Sequence, residues 1–112
     1  MSIAGRNATF GSTLTVYRPT EGDDSITWSP VSGLTGIKLD LMPVVNEIDR
    51  QAFGNDVNIT IMALDPSKSI LKRDGIVVTA GTHAGLNFRV EHALVFHTFT
   101  QLGLKATTEP IS

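Results

Sequence analysis

The chain has 112 residues, enough for one domain that takes about 65% of its unfolded surface out of water, and sets 11 acids against 9 lysines and arginines. Near-balanced charge with no basic run longer than Lys72-Arg73 excludes the electrostatic footprint of an autonomous nucleic-acid binder, and the lack of cysteine excludes disulfides, thiolate metal sites and a cysteine nucleophile. The opening residues lack a signal-peptide run and no segment nears the ~20 apolar residues of a bilayer span, so a soluble product of cytoplasmic synthesis without membrane contact is expected.

Residues 1–11 are polar and contain glycine, which reads as an arm ordered only when something holds it. Ser12 to Arg18 alternates with period two and places Leu14 and Val16 on one face, a first strand. Pro19 to Asp24 is a turn by composition, because proline presets φ, glycine permits positive φ and aspartates bond nearby amides. Ile26-Thr-Trp28 resumes the alternation as a hairpin partner. From Leu34 to Met42 the apolar Ile37, Leu39 and Leu41 alternate with Gly36, Lys38 and Asp40, the pattern of a half-buried strand that Pro43 ends.

Val44 to Asp56 is the least strand-like stretch; Val44, Ile48 and Ala52 recur every four residues, enough for one or two helical turns, but with no clear cap the segment reads as a long excursion. Val57 to Met62 alternates again, with Val57, Ile59 and Ile61 inward, and Asp65 to Ser69 is a turn closed by a side-chain bond to the backbone. Ile76 to Ala80 is a strand, Gly81 to Gly85 a turn, and Leu86 to His92 a strand with Leu86, Phe88 and Val90 inward. Ala93 to Phe96 continues it as an apolar run, either a subunit contact or a long bent strand buried on both sides. A last strand, Thr100 to Thr107, offers Leu102, Leu104 and Ala106 to the core. The sum is an all-β, mainly antiparallel small barrel or sandwich: an arm over 1–11, a barrel domain over 12–108 and a tail over 109–112.

Metal and catalytic readings are weak. His83 falls in a turn, while His92 and His97 are five apart and so point to opposite faces of a continuous strand, which is wrong for convergent ligands or a cupin-type enzyme. No Gly-x-Ser-x-Gly elbow, phosphate-cradling loop or paired-carboxylate pocket accompanies them; no enzyme, cofactor or metal is expected. Arg89 and Glu91 on the outward face are candidates for a cross-strand or neighbour-chain ion pair. The excursion carries Glu47, Asp49 and Asp56 against one base, Arg50, for which pairing with a neighbouring acid is favoured.

Leu71-Lys-Arg-Asp-Gly75, Ile76-Val-Val78, Gly85, Phe88-Arg-Val90 and Leu102-Gly-Leu104, with Leu14 to Arg18, Trp28 and Leu39 to Pro43 upstream, together resemble the small head-to-tail connector proteins of long-tailed bacteriophages, known as head-closure, head-completion or stopper proteins. The resemblance covers nearly the whole chain as a pattern of common residues, and it departs from the family where the usual Gly-Asp order is reversed to Asp74-Gly75. It implies a homo-oligomeric ring of six or twelve subunits in the virion neck, between portal or adaptor ring and tail terminator or tail tube, with packaged DNA passing through without sequence-specific binding. It also implies that residues 44–56 project into the channel, with Glu47, Asp49, Arg50, Phe53 and Asp56 as gating residues; acids there would confine DNA without gripping it. Phe10, Arg89, Glu91, Leu94 and Phe96 are the expected interface residues, and both ends, Ile3 to Phe10 and Glu109 to Ser112, are expected to be ordered by neighbours through strand addition. The alternatives are a tail-terminator or tail-completion ring protein and, outside virions, a small β-barrel binding module.

Overall fold

A computed structural model describes residues 2–22 and 25–111. The polypeptide forms α1 (Ile3–Phe10), β1 (Ser12–Glu21), β2 (Ile26–Pro30), β3 (Ile37–Leu39), β4 (Met42–Pro43), α2 (Glu47–Ala52), β5 (Ile61–Asp65), β6 (Gly75–Ala80), β7 (Asn87–Val95) and β8 (Thr100–Thr107). All strand pairs are antiparallel, in the order β2-β1-β6-β7-β8-β5-β4, with β3 on β1 beside β2. The all-β antiparallel class matches the sequence, but the barrel is open.

The opening has a definite place. β3 pairs with β1 and β4 pairs with β5, at opposite ends of the strand order, yet only Asp40 and Leu41 separate them in the chain. What looked like one strand from Leu34 to Met42 therefore spans the gap of a curled sheet, leaving one side at Leu39 and joining the other at Met42. Asn7 of α1 bridges this seam: its amide nitrogen donates to the Leu64 carbonyl at 3.0 Å and its amide oxygen accepts from the Asp40 N–H at 2.9 Å. A side-chain amide thus does at the seam what a neighbouring strand's peptide group does elsewhere in the sheet.

Of the arm expected over residues 1–11, Ile3–Phe10 form α1, held by the chain itself, and Met1 lies outside the described residues. Ser2 caps the helix by accepting from the Gly5 N–H, Asn7 is buried, and Arg6 bonds Asp40 at 2.7 Å. The other end is also held in the fold. Ile111 is buried against Gly75 and Trp28, and Glu109 pairs with Arg89 at 2.9 Å, so residues 109–111 of the expected neighbour-ordered tail are held within the chain, and Ser112 lies outside the described residues.

Inside the curl, Leu14 and Val16 meet Leu39, Phe88, Val90, Leu102 and Leu104, the inward sets that alternation assigns to their strands, together with Ile76 and Val78 of β6. Burying each such side chain contributes about 2 kcal/mol. Three positions read as inward are exposed: Val57, Leu86 and Ala106. Val57 lies outside because the strand begins only at Ile61; Asp56 accepts from the Asn58 N–H at 3.0 Å and turns the chain locally, leaving Val57 at the tip.

Two buried carboxylates fix the loops at one end. Asp65 accepts from the Ser67 N–H and hydroxyl and from the Ser69 and Ile70 N–H groups, the turn read from its sequence. Asp74 takes both guanidinium arms of Arg18, at 3.0 and 2.8 Å, and the Leu71 N–H at 2.9 Å. The hydrogen bond to Asp74 raises the Arg18 pKa above its ordinary value, so the guanidinium keeps its charge throughout the neutral range. The reversed Asp74-Gly75 order has a physical sense: position 74 carries this carboxylate and position 75 must stay bare, since a Cβ there would come within 2.9 Å of Ile111 and Trp28.

Candidate assembly surface

The excursion after Val44 is a capped helix packed on the outer face of the sheet. Asn46 is the cap that the sequence reading did not find: its side-chain oxygen accepts from the Asp49 N–H at 2.8 Å and its amide nitrogen donates to the Asp49 carboxylate at 2.8 Å. Glu47 and Asp49 in the first turn suit the positive end of the helix. The inward anchor is Phe53, 1% exposed, which joins Val44, Ile59 and Met62 in a second apolar cluster against Met42, Leu64 and Leu94.

Phe53 fits because Gly103 leaves room. A Cβ on Gly103 would stand 2.8 Å from the ring of Phe53 and 3.1 Å from Ile59. Leu102 and Leu104 point into the main core and Gly103 faces outward between them, so the Leu-Gly-Leu run fills one side of the sheet and clears the other.

The residues assigned to a channel loop therefore divide. Phe53 is an internal anchor and faces no channel. Asp49 also accepts from Gln101 at 3.2 Å, binding the helix to β8. Arg50, expected to pair with an acid, donates instead to the Val44 carbonyl at 3.3 Å and forms no carboxylate pair among the described residues. Asp56 lies 3.9 Å from His92, whose ring sits 5.7 Å from that of Phe53. Only Glu47 is exposed and without an ion-pair partner among the described residues.

Interface candidates divide as well. Phe10 is exposed, with the Arg6 guanidinium 5.8 Å from its ring, and Phe96 is exposed and stacked on Phe99 at 5.0 Å. Arg89 is committed within the chain, bonded to Glu109 and lying 5.0 Å over Trp28, and Glu91 is half-buried. Leu94 packs in the second cluster because β7 has a bulge between Val90 and His92, which shifts the alternation so that Ala93 faces the main core and Leu94 the outer one. Ala93 to Val95 thus continues β7 with Ala93 and Leu94 half-buried on its two faces, while Val95 and Phe96 stand in solvent, so the run is not buried on both sides along its length.

Among the described residues the most exposed large apolar side chains are Ile48 at 79%, Val45 at 78% and Val57 at 74%, all beside α2. None was named as an interface residue: Val57 was expected inward, and the Val44, Ile48, Ala52 spacing assigned no face; the pattern that reveals the outward face of α2 is the Asp49 and Phe53 pair, one turn apart. A second feature is an apolar groove of about 290 Å³ between α1, the 33–39 segment and the 65–67 turn, walled by Ala4, Ala8, Leu34, Ile37 and Pro66 with Lys38 beside it. No cluster of three or more potential metal-ligating side chains occurs among the described residues, and no described helix is long and apolar enough to cross a membrane. No family model, curated protein or solved structure matches the chain.

Proposed function

We propose that the chain is a structural subunit of a tailed-bacteriophage neck, of the head-closure, head-completion or stopper kind, which forms a ring between portal or adaptor and tail and acts by assembly rather than by chemistry. The supporting observation is the pairing of a well-filled interior with an outer face that keeps Val45, Ile48 and Val57 in water, an arrangement suited to a protein that completes its burial against partners. The phage assignment rests on the sequence resemblance. Its gating component is narrowed, because residues 44–56 project no free loop: Phe53 pins them to the sheet, so DNA retention falls to the ring as a whole.

Phage particles assembled without this protein test the reading. The expected products are DNA-filled heads that lose their contents and separate tails of normal length. Overlong tails would assign it to tail termination instead, and unaltered particles would remove it from the neck and leave the binding-module alternative.

A further inference from the structure

Three features were candidates for a further role: the His92, Asp56 and Phe53 contact, the stacked Phe96 and Phe99 tip, and the bare face of α2 together with the groove beside α1. The first two concern local contacts with no complementary site among the described residues. The third supplies both halves of an interface.

We infer that the exposed face of α2 on one copy docks into the groove beside α1 on a second copy of the same chain, an assignment that rests on the ring reading above and gives its subunit contact. The protruding half carries Val45 and Ile48 at 78% and 79% exposure, with the acid Glu47 between them. The receiving half is a hollow of about 290 Å³ with largely aliphatic walls, large enough for two aliphatic side chains, and the base beside it, Lys38, has no hydrogen-bond or ion-pair partner among the described residues. Glu47 likewise has no cationic partner among them. Apolar faces apolar, and an unpaired acid faces an unpaired base. Asp65, the acid in the groove wall, spends its carboxylate on the 65–70 turn and does not oppose Glu47 in the same way.

The two halves use different residues, so the contact is heterologous: each copy offers one face and receives on another, which propagates into a ring where the rotation closes. A symmetric contact of α2 against α2 would bring two Glu47 side chains together and leave both grooves empty.

The absence of cysteine makes the test clean. Ile48→Cys and Ala8→Cys are made separately in the full chain, both at exposed positions, and thermal unfolding of each is compared with the parent. On mixing and mild oxidation, mixed dimers should exceed either homodimer several-fold, and a chain carrying both substitutions should give a ladder of multimers. Lys38→Glu should cut the mixed product, and combining it with Glu47→Lys should restore it. A predominance of Ile48→Cys homodimers, or a monomeric mass with no mixed product at the same concentration, overturns the contact. A particle defect without cross-linking would discard this contact and keep the neck assignment; cross-linking without a particle defect would do the reverse.

Discussion

Two outer faces of the same sheet use one device and come to different ends. Over Gly103 the ring of Phe53 lies against the strand backbone; over Gly75 the side chains of Ile111 and Trp28 do the same. In each case a bare strand position lets a side chain from a distant segment dock more closely than any Cβ would permit. The Gly75 side completes its own cover, with Arg89 lying over Trp28 and bonded to Glu109. The Gly103 side buries Phe53 but holds α2 so that Ile48 and Val45 remain in solvent. Docking and covering are separate achievements: a glycine seat secures the first, and the second needs residues this side does not have.

The largest test of that contrast is Phe53→Ala. Removing a ring buried to 1% exposure should cost about 3–4 kcal/mol in urea unfolding, with the loss of amide protection concentrated in residues 44–58 and the main core affected less. Next come the seats themselves. Gly103→Ala and Gly75→Ala should each cost about 2 kcal/mol, because a rigid ring stands in the way at both, Phe53 at 2.8 Å from the first and Trp28 at 2.9 Å from the second, with Ile111 also 2.8 Å from the second. Combining Gly75→Ala with Ile111→Ala should give less than the sum of the two, while Gly103→Ala with Ile111→Ala should be additive. Simple additivity of the Gly75 and Ile111 changes would break the idea that Ile111 sits on a glycine seat. The smallest effect is at the seam: Asn7→Ala leaves the Leu64 carbonyl and Asp40 N–H without their partner and should cost about 1–2 kcal/mol, with faster exchange of the Asp40 amide.

Strand alternation made the interior legible. Leu14, Val16, Ile37, Leu39, Phe88, Val90, Leu102 and Leu104 lie on the main core as their spacing requires, since each belongs to a strand with one greasy face. Residues 1–11 were not legible as a helix because their order depends on Asn7 meeting backbone groups of Asp40 and Leu64, at sequence separations of 33 and 57. The α2 face was not legible for a related reason. A four-residue recurrence selects Val44, Ile48 and Ala52, but the helix begins only after Val44 and is oriented by a single aromatic residue with a glycine waiting on another strand. Arg89 was expected to find a neighbour on a strand or another chain; it found Glu109, beyond the last strand of its own. Short-range patterns report which face of a strand is greasy, while the seam, the seats and the tail depend on contacts between distant segments that periodicity does not encode.

The bulge at Glu91 has a consequence for how the chain tolerates change. Up to Val90 the strand counts inward residues on even numbers, and from Ala93 it counts them on odd ones, so one additional residue switches the parity of everything downstream. Many side chains could occupy position 91, and a chain shortened by that single residue would keep Ala93 inward and Leu94 outward on a regular ladder, whereas one further residue inserted beside it would turn Leu94 toward the inner core and Ala93 toward Phe53. At this point the fold depends on the count of residues more than on their chemistry.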